Sequence, residues 1–284
     1  MRTNVVICLN GNYLSTTHSF LDVLSPGVLE GEGIFETIRV YDKNVPFFKM
    51  HYARLAAGIK FYKLGPPPSG KDILEIIRGL LSKNEIRNAR VRLAFWRKGA
   101  EVRNAVVCQE FILPSSAYAK GFKAVVSSLR CPRRQDPLIK SLNYSLYRKS
   151  YLMAREKGGD EAVLLNSRNE VSEGSRSNLF FFKEGMLCTP SLACGCLNGI
   201  TRRLVIKIAR QQGVPCRSGR YSLDDLLNAD EVFVTNSLLE LISVVQINNY
   251  HLRKMPRRRS VMLRLLTHYR RLRDCESLLI QSSL

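Results

Sequence analysis

Between Glu161 and Pro190 the chain alternates short apolar runs with turn residues, and few other features limit its fold as strongly. Glu161-Ala-Val-Leu-Leu-Asn reads as a strand with a turn at Ser167-Arg-Asn, and Val171-Ser-Glu-Gly follows. Asn178-Leu-Phe-Phe-Phe is the next strand, turning at Lys183-Glu-Gly into Met186-Leu-Cys-Thr-Pro. Alternation with these turns predicts an antiparallel meander. One strand end carries Glu173, followed by Gly174 and Ser175. Glycine beside an acid lets a planar ligand approach the backbone closely. Taken alone, the stretch reads as a surface glutamate next to a turn.

The flanking sequence supplies strands and helices in a mixed order. Residues 4–14 predict a hairpin turning at Asn10-Gly11. Leu29-Glu-Gly-Glu-Gly leads into the strand Ile34–Tyr41, and a return strand is expected at Val45-Pro-Phe-Phe. Gly31 and Gly33 precede a strand instead of opening a helix, which excludes the dinucleotide fingerprint. Helices are predicted over 49–62 and 71–81, and strands over 89–99 and 111–113. Pro114–Gly121 is small and polar, so the domains are placed at 1–115 and 122–284, with 116–121 as linker. Further helices are expected from Asn143 to Glu156, from Gly199 onward, and over 258–274.

Bulk properties narrow the function. A chain of 284 residues can bury one large core or two ordinary ones. No apolar run approaches the ~20 residues of a membrane span, and the N-terminus reads as a first strand, so a cytoplasmic protein is expected. The eight cysteines are scattered without a C-x-x-C pair, which predicts free thiols and no metal. The net charge of +20 raises nucleic acid as a partner. No recognition motif or aromatic platform accompanies it, so a solvated basic C-terminal helix is expected.

Three segments suggest chemistry. Lys140 lies just before a predicted helix start, whose positive end disfavours an ammonium and makes the amine more nucleophilic. Gly199, Ile200 and Thr201 open another helix, where free amides favour an anion. His51 and Arg54 share a helix face, and a guanidinium suits phosphate through its planar fork.

Five motifs occur in an order and spacing that resemble the class IV, fold-type IV pyridoxal-phosphate enzymes. They are Gly33-Ile-Phe-Glu-Thr-Ile-Arg, His51-Tyr-Ala-Arg-Leu, Lys140-Ser-Leu-Asn-Tyr, Glu173-Gly-x-x-x-Asn-Leu-Phe and Gly199-Ile-Thr-Arg. That family includes branched-chain and D-amino acid aminotransferases and aminodeoxychorismate lyase. The resemblance implies a two-domain α/β (α+β) fold with pyridoxal 5'-phosphate at the domain interface, a small amino-acid-type substrate, and a homodimer. It implies that Lys140 holds the cofactor and moves the substrate proton. Glu173 would contact the pyridine nitrogen. Arg54, the Ile200 and Thr201 amides, and Thr235 or Asn236 would hold the phosphate, with His51 structural. Arg97, Thr37 and Ser237 are the substrate-facing candidates.

Within the family, Phe35-Glu-Thr-Ile-Arg, Lys140-Ser-Leu-Asn-Tyr and Val234-Thr-Asn-Ser-Leu look most like aminodeoxychorismate lyase. The continuation Leu239-Glu-Leu departs from it, because the lyases carry a basic residue and a proline there. An aminotransferase of branched-chain or D-amino acids is the alternative enzyme. A basic, non-catalytic nucleic-acid-binding protein is the alternative of another class.

Overall fold

A computed structural model describes residues 5–15, 33–132, 136, 138–253 and 256–282, with side chains described up to 276. Residues 29–32, with Gly31, as well as Pro137 and Lys254, lie outside the described residues. The contacts divide the chain into two compact units. One contains residues 1–112, 138–144 and 273–284, and the other 113–137 and 145–272. The segment 138–144, with Lys140, therefore groups with the N-terminal unit and not with the C-terminal domain expected from the sequence.

The first unit is a five-stranded antiparallel sheet with two helices on it. Its strands are β1 (Val6–Leu9), β2 (Asn12–Ser15), β3 (Gly33–Val40), β4 (Ala89–Lys98) and β5 (Glu101–Glu110), in the order β2-β1-β5-β4-β3. The β1–β2 turn has Asn10 at φ 49° and Gly11 at φ 83°, the left-handed pair that a two-residue hairpin requires. The expected return strand at Val45 does not form: only Tyr41 and Asn44 bridge. The chain then bends through Phe47 at φ 58° into helix α1 (Phe48–Phe61). Likewise β5 ends at Glu110, before the strand expected at 111–113.

Helix α2 (Gly70–Lys83) shows why these segments fold as they do. Ser69 caps its start by accepting from the Asp72 amide at 3.1 Å. Its inward stripe of Ile73, Ile77, Leu80 and Leu81 is fully buried. Each such side chain contributes about 1.5–3 kcal/mol. This stripe joins Leu55 and Ile59 of α1 with Ile34, Ile38 and Val40 of β3 in one core. The alternate β3 residues, Phe35 and Thr37, point to the other face of the sheet.

The second unit is built on a nine-stranded mixed sheet. Its strands are β6 (Phe122–Cys131), β7 (Glu161–Asn166), β8 (Val171–Gly174), β9 (Asn178–Lys183), β10 (Met186–Pro190), β11 (Cys216–Gly219), β12 (Glu231–Asn236), β13 (Glu240–Ile247) and β14 (Tyr250–His251). The order is β11-β10-β9-β12-β13-β6-β7-β8, with β14 on β13. The expected meander forms only as two hairpins, β7–β8 and β9–β10. β9 pairs with β12 instead of β8, because Phe180 stacks on Phe233 and the apolar residues 179–181 align with Val232-Phe-Val234.

Helices α3 (Ser115–Lys120), α4 (Ser145–Glu156), α5 (Ile200–Gln211), α6 (Leu223–Leu227) and α7 (Val261–Ser282) complete the chain. The expected linker at 116–121 is thus mostly helix α3. The basic C-terminal helix is not merely solvated, since Val261, Met262, Leu265, Leu266 and Tyr269 are buried along one side. Among the described residues no helix is long and apolar enough to cross a membrane. All eight cysteines are free thiols.

Gly121 joins α3 to β6 at φ 70°, ψ 177°, a conformation essentially restricted to glycine. A Cβ there would also lie 2.6 Å from Val245 Cγ1 and 3.1 Å from the Ser243 carbonyl. Gly121→Ala is therefore expected to destabilise the protein by about 2 kcal/mol or more, read as a lower midpoint of urea unfolding.

Candidate active site

In the first unit, β3 presents opposite chemistry on its two faces. Glu36 points toward α1, where it is 1% exposed. It accepts from Arg54 Nε at 2.5 Å and Nη2 at 2.8 Å, and its Oε2 lies 2.8 Å from His51 Nδ1. Burial alone would raise the Glu36 pKa. The Arg54 charge and hydrogen bonds, with His51, outweigh burial and bring it down to about 2. Burial lowers the His51 pKa, against Glu36 and with help from Arg54 and Lys140, so the ring is neutral and donates through Nδ1–H. Two Arg54 nitrogens are thus committed to Glu36, leaving Nη1 as the part of the fork for another anion.

On the other face lies Lys140. Its carbonyl accepts from the Phe35 amide at 2.9 Å, and the Leu142 amide donates to the Gly33 carbonyl at 2.9 Å. The lysine segment is therefore laced to β3. Lys140 Nζ sits 4.5 Å from the Phe35 ring centroid, and Tyr144 meets the same ring edge-on at 5.5 Å. Arg92 of β4 places its guanidinium 4.7 Å from that centroid. Two cations thus share one aromatic ring. Thr37 pairs directly across from Arg92, so it belongs to this face.

Arg97 does not. Five residues along β4, it projects to the opposite face and donates to the Lys63 carbonyl at 2.7 Å and the Tyr62 carbonyl at 3.4 Å. It closes the C-terminal end of α1, which corrects its expected substrate role. Arg92 is the residue that sequence reasoning missed. The two-residue period of Ala89-Arg-Val-Arg-Leu-Ala-Phe-Trp-Arg would have separated it from Arg97.

In the second unit, the Glu-Gly-x-x-x-Asn spacing acquires a physical meaning. Glu173 Oε2 accepts from the Leu197 amide at 2.9 Å, and Asn178 Nδ2 donates to the Leu197 carbonyl at 2.7 Å. Both ends of the motif therefore grip one residue, and that residue leads into α5. Gly199 caps α5 without any side-chain hydrogen bond, leaving the first amides available. A Cβ on Gly199 would collide with the Asn178 side chain, so the glycine is a steric requirement. Asn178 and Leu197 were also missed as site residues.

Thr201 Oγ1 and Thr235 Oγ1 are both buried without a hydrogen-bond partner among the described residues. Native structures rarely leave such hydroxyls unsatisfied, so these two sites fit an anion that accepts from them. With the uncapped α5 start, they suit the phosphate of pyridoxal phosphate. The Asn236 side chain does not join them. Its Nδ2 donates to the Arg176 carbonyl at 2.9 Å, and its Oδ1 accepts from the Leu238 and Leu239 amides at 2.9 and 2.8 Å. Asn236 organises backbone, which corrects its expected phosphate role, and Ser237 lies in the turn it organises. Among the described residues no His, Cys, Asp and Glu group is arranged to hold a metal ion.

The two sheets and their helices form the class IV aminotransferase fold, whose members are pyridoxal-phosphate enzymes. The chain belongs to that family: residues 33–247 match amino-transferase class IV. It is 34% identical over 258 residues to Bacillus subtilis aminodeoxychorismate lyase, covering 85% of this chain and 86% of that protein. It is 32% identical over 252 residues to a Methanocaldococcus jannaschii protein provisionally named a branched-chain-amino-acid aminotransferase, covering 85% and 88%. Among solved structures it resembles a T.th. branched-chain amino acid aminotransferase with pyridoxamine 5'-phosphate. That match has a TM-score of 0.83 and 28% identity over 95% of both chains.

The Glu36 site makes a pH prediction. A carboxyl whose pKa falls from 4.5 to about 2 on folding adds stability that is complete above 4.5 and lost as pH falls toward 2. A neutral buried His51 acts in the same direction, losing its contribution as pH falls below 6.5. Glu36→Gln is expected to cost about 3 kcal/mol at pH 7, because it leaves Arg54 buried without its counter-charge. Urea unfolding across pH should show that deficit shrinking as pH approaches 2.

Proposed function

We propose that the chain is an aminodeoxychorismate lyase, releasing pyruvate and forming 4-aminobenzoate. The observation that carries this reading is the Arg92–Phe35–Lys140 arrangement. A second cation over the same aromatic ring as the reactive amine suits a substrate with carboxylates beyond the reacting centre. Aminodeoxychorismate has two. The similarity to the Bacillus subtilis lyase supports the same choice.

Pyridoxal phosphate, when bound, supplies an electron-accepting ring that stabilises negative charge on the amine-bearing carbon of the substrate. Lys140 is the residue that anchors it. Glu173, oriented by the Leu197 amide, keeps a proton on the pyridine nitrogen. The amides of Ile200 and Thr201, the hydroxyls of Thr201 and Thr235, and Arg54 through Nη1 hold the phosphate. Lys140 Nζ takes the proton from the amine-bearing carbon as the ring becomes aromatic and the enolpyruvyl C–O bond breaks, and passes it to the methylene carbon of the departing enolpyruvate, which leaves as pyruvate. Arg92 binds a substrate carboxylate, with Thr37 beside it and Ser237 at the turn after β12. Tyr144 and Phe35 keep the lysine aligned through their ring contacts with Nζ. The active species is proposed to be a cytoplasmic homodimer.

A branched-chain or D-amino acid aminotransferase is the second reading, favoured by the similarity to the solved branched-chain enzyme. The two separate on one experiment. The purified protein, loaded with pyridoxal phosphate, should show a visible absorption band that Lys140→Ala abolishes along with turnover. Aminodeoxychorismate should then release pyruvate without any added keto acid. Bleaching by an amino acid and recovery with 2-oxoglutarate would instead establish the transaminase. Arg92→Leu should raise KM for aminodeoxychorismate by about tenfold or more, with a smaller effect on kcat.

A further inference from the structure

The hairpin between β12 and β13 contains an unusual residue choice. Asn236 and Glu240 form its last paired position, and Glu240 adopts φ 57°. The residue closing a three-residue loop in this left-handed conformation is ordinarily glycine or asparagine. A glutamate there is strained in its backbone, and its carboxylate is 1% exposed. Something must hold it.

Two elements do so. Tyr118 of α3 donates its hydroxyl to Glu240 Oε2 at 2.7 Å. Arg270 of α7 donates to the same oxygen from Nε and Nη2, both at 2.8 Å. The Arg270 guanidinium also lies 4.7 Å from the centroid of the Tyr118 ring. Burial would lower the Arg270 pKa, but the facing Glu240 carboxylate more than reverses this. Glu240 is thus clasped by one aromatic and one cation from opposite ends of the second unit's sequence.

The clasp reaches the proposed cofactor pocket through hydrogen bonds. Asn236, paired with Glu240, caps the Leu238 and Leu239 amides and fixes the Arg176 carbonyl. Ser175 and Ser177, flanking Arg176, donate to the buried carboxylate of Glu161. The loop after Glu173 and the turn after Thr235 are therefore one connected girdle, which ends at Arg270.

We propose that Arg270 and Tyr118 are positioning residues that hold Glu240, and with it the 236–239 turn and the Thr235 hydroxyl, in the geometry that binds the cofactor phosphate. The basic C-terminal helix thereby sets cofactor affinity. This rests on the pyridoxal-phosphate pocket assigned above. It also gives a role to the Leu239-Glu-Leu departure and to the terminal helix, which the reaction itself does not use.

The test compares Arg270→Ala, Arg270→Lys and Tyr118→Phe in the full chain with Arg264→Ala, which alters the exposed side of the same helix. Amide hydrogen exchange at Leu238 and Leu239 is read without cofactor, pyridoxal-phosphate affinity by absorbance titration, and global stability by urea unfolding. Arg270→Ala should speed exchange and weaken affinity by about tenfold each, Tyr118→Phe by about threefold, and Arg264→Ala by neither. Arg270→Lys should recover part of both. A folded Arg270→Ala variant with parental exchange and affinity would overturn the proposal, as would an equal loss in Arg264→Ala. If Arg270→Ala does not fold, unchanged exchange and affinity in Tyr118→Phe overturn it. A parent chain that takes up no pyridoxal phosphate overturns the cofactor reading, and the exchange readout alone then decides the clasp.

Discussion

The backbone of Leu197 is gripped on both sides, and the candidate anion site of the second unit depends on that grip. Glu173 accepts from its amide and Asn178 donates to its carbonyl. These side chains come from β8 and β9, which occupy separate positions in the sheet order. Fixing Leu197 fixes where α5 begins, since only Leu197, Asn198 and Gly199 intervene between Cys196 and the helix. The direction of the first α5 amides follows from this. The same bond turns the Glu173 carboxylate, so acid and anion site are set by one constraint.

Three buried carboxylates act in a related way. Glu36, Glu161 and Glu240 are each 1% exposed, in a chain of net charge +20. A charge taken out of water is strongly destabilising unless donors surround it. Each carboxylate therefore gathers a fixed set. Glu36 takes Arg54 and His51, Glu161 takes Ser175, Ser177 and the Ala162 amide, and Glu240 takes Arg270 and Tyr118. Each gathered set anchors a segment beside a proposed functional group. The excess of arginine is thus partly internal, because Arg54 and Arg270 serve as counter-charges and Arg202 reaches a buried carbonyl.

Local pattern was readable where it depended on neighbours in sequence. The Asn10-Gly11 turn, the apolar stripe of α2 and the uncapped glycine before α5 all follow from a few adjacent residues. The failures share a cause. Val45-Pro-Phe-Phe has strand composition, but burying Val45 and Phe48 in the first core turns it into a helix start. The segment 115–120 is small and polar enough for a linker, yet Ala117 and Tyr118 pack on the second core. Arg97 and Arg92 have the same chemistry and differ only in strand parity, which composition does not register. Asn236 has the chemistry of a phosphate ligand, but its side-chain amide is committed to three backbone groups.

The sequence by itself determined the mixed α/β class, the family, and the segments that carry Lys140, Glu173 and the α5 start. These rest on short-range spacing, which covalent geometry and hydrogen-bond periods impose on any fold the chain adopts. Tertiary structure alone decided that β9 pairs with β12, that Lys140 packs with β3, and that Glu240 is clasped by the terminal helix. Each of those pairings spans tens to more than a hundred residues. It is chosen by which buried surfaces and charges satisfy one another in three dimensions, and no local pattern records that competition.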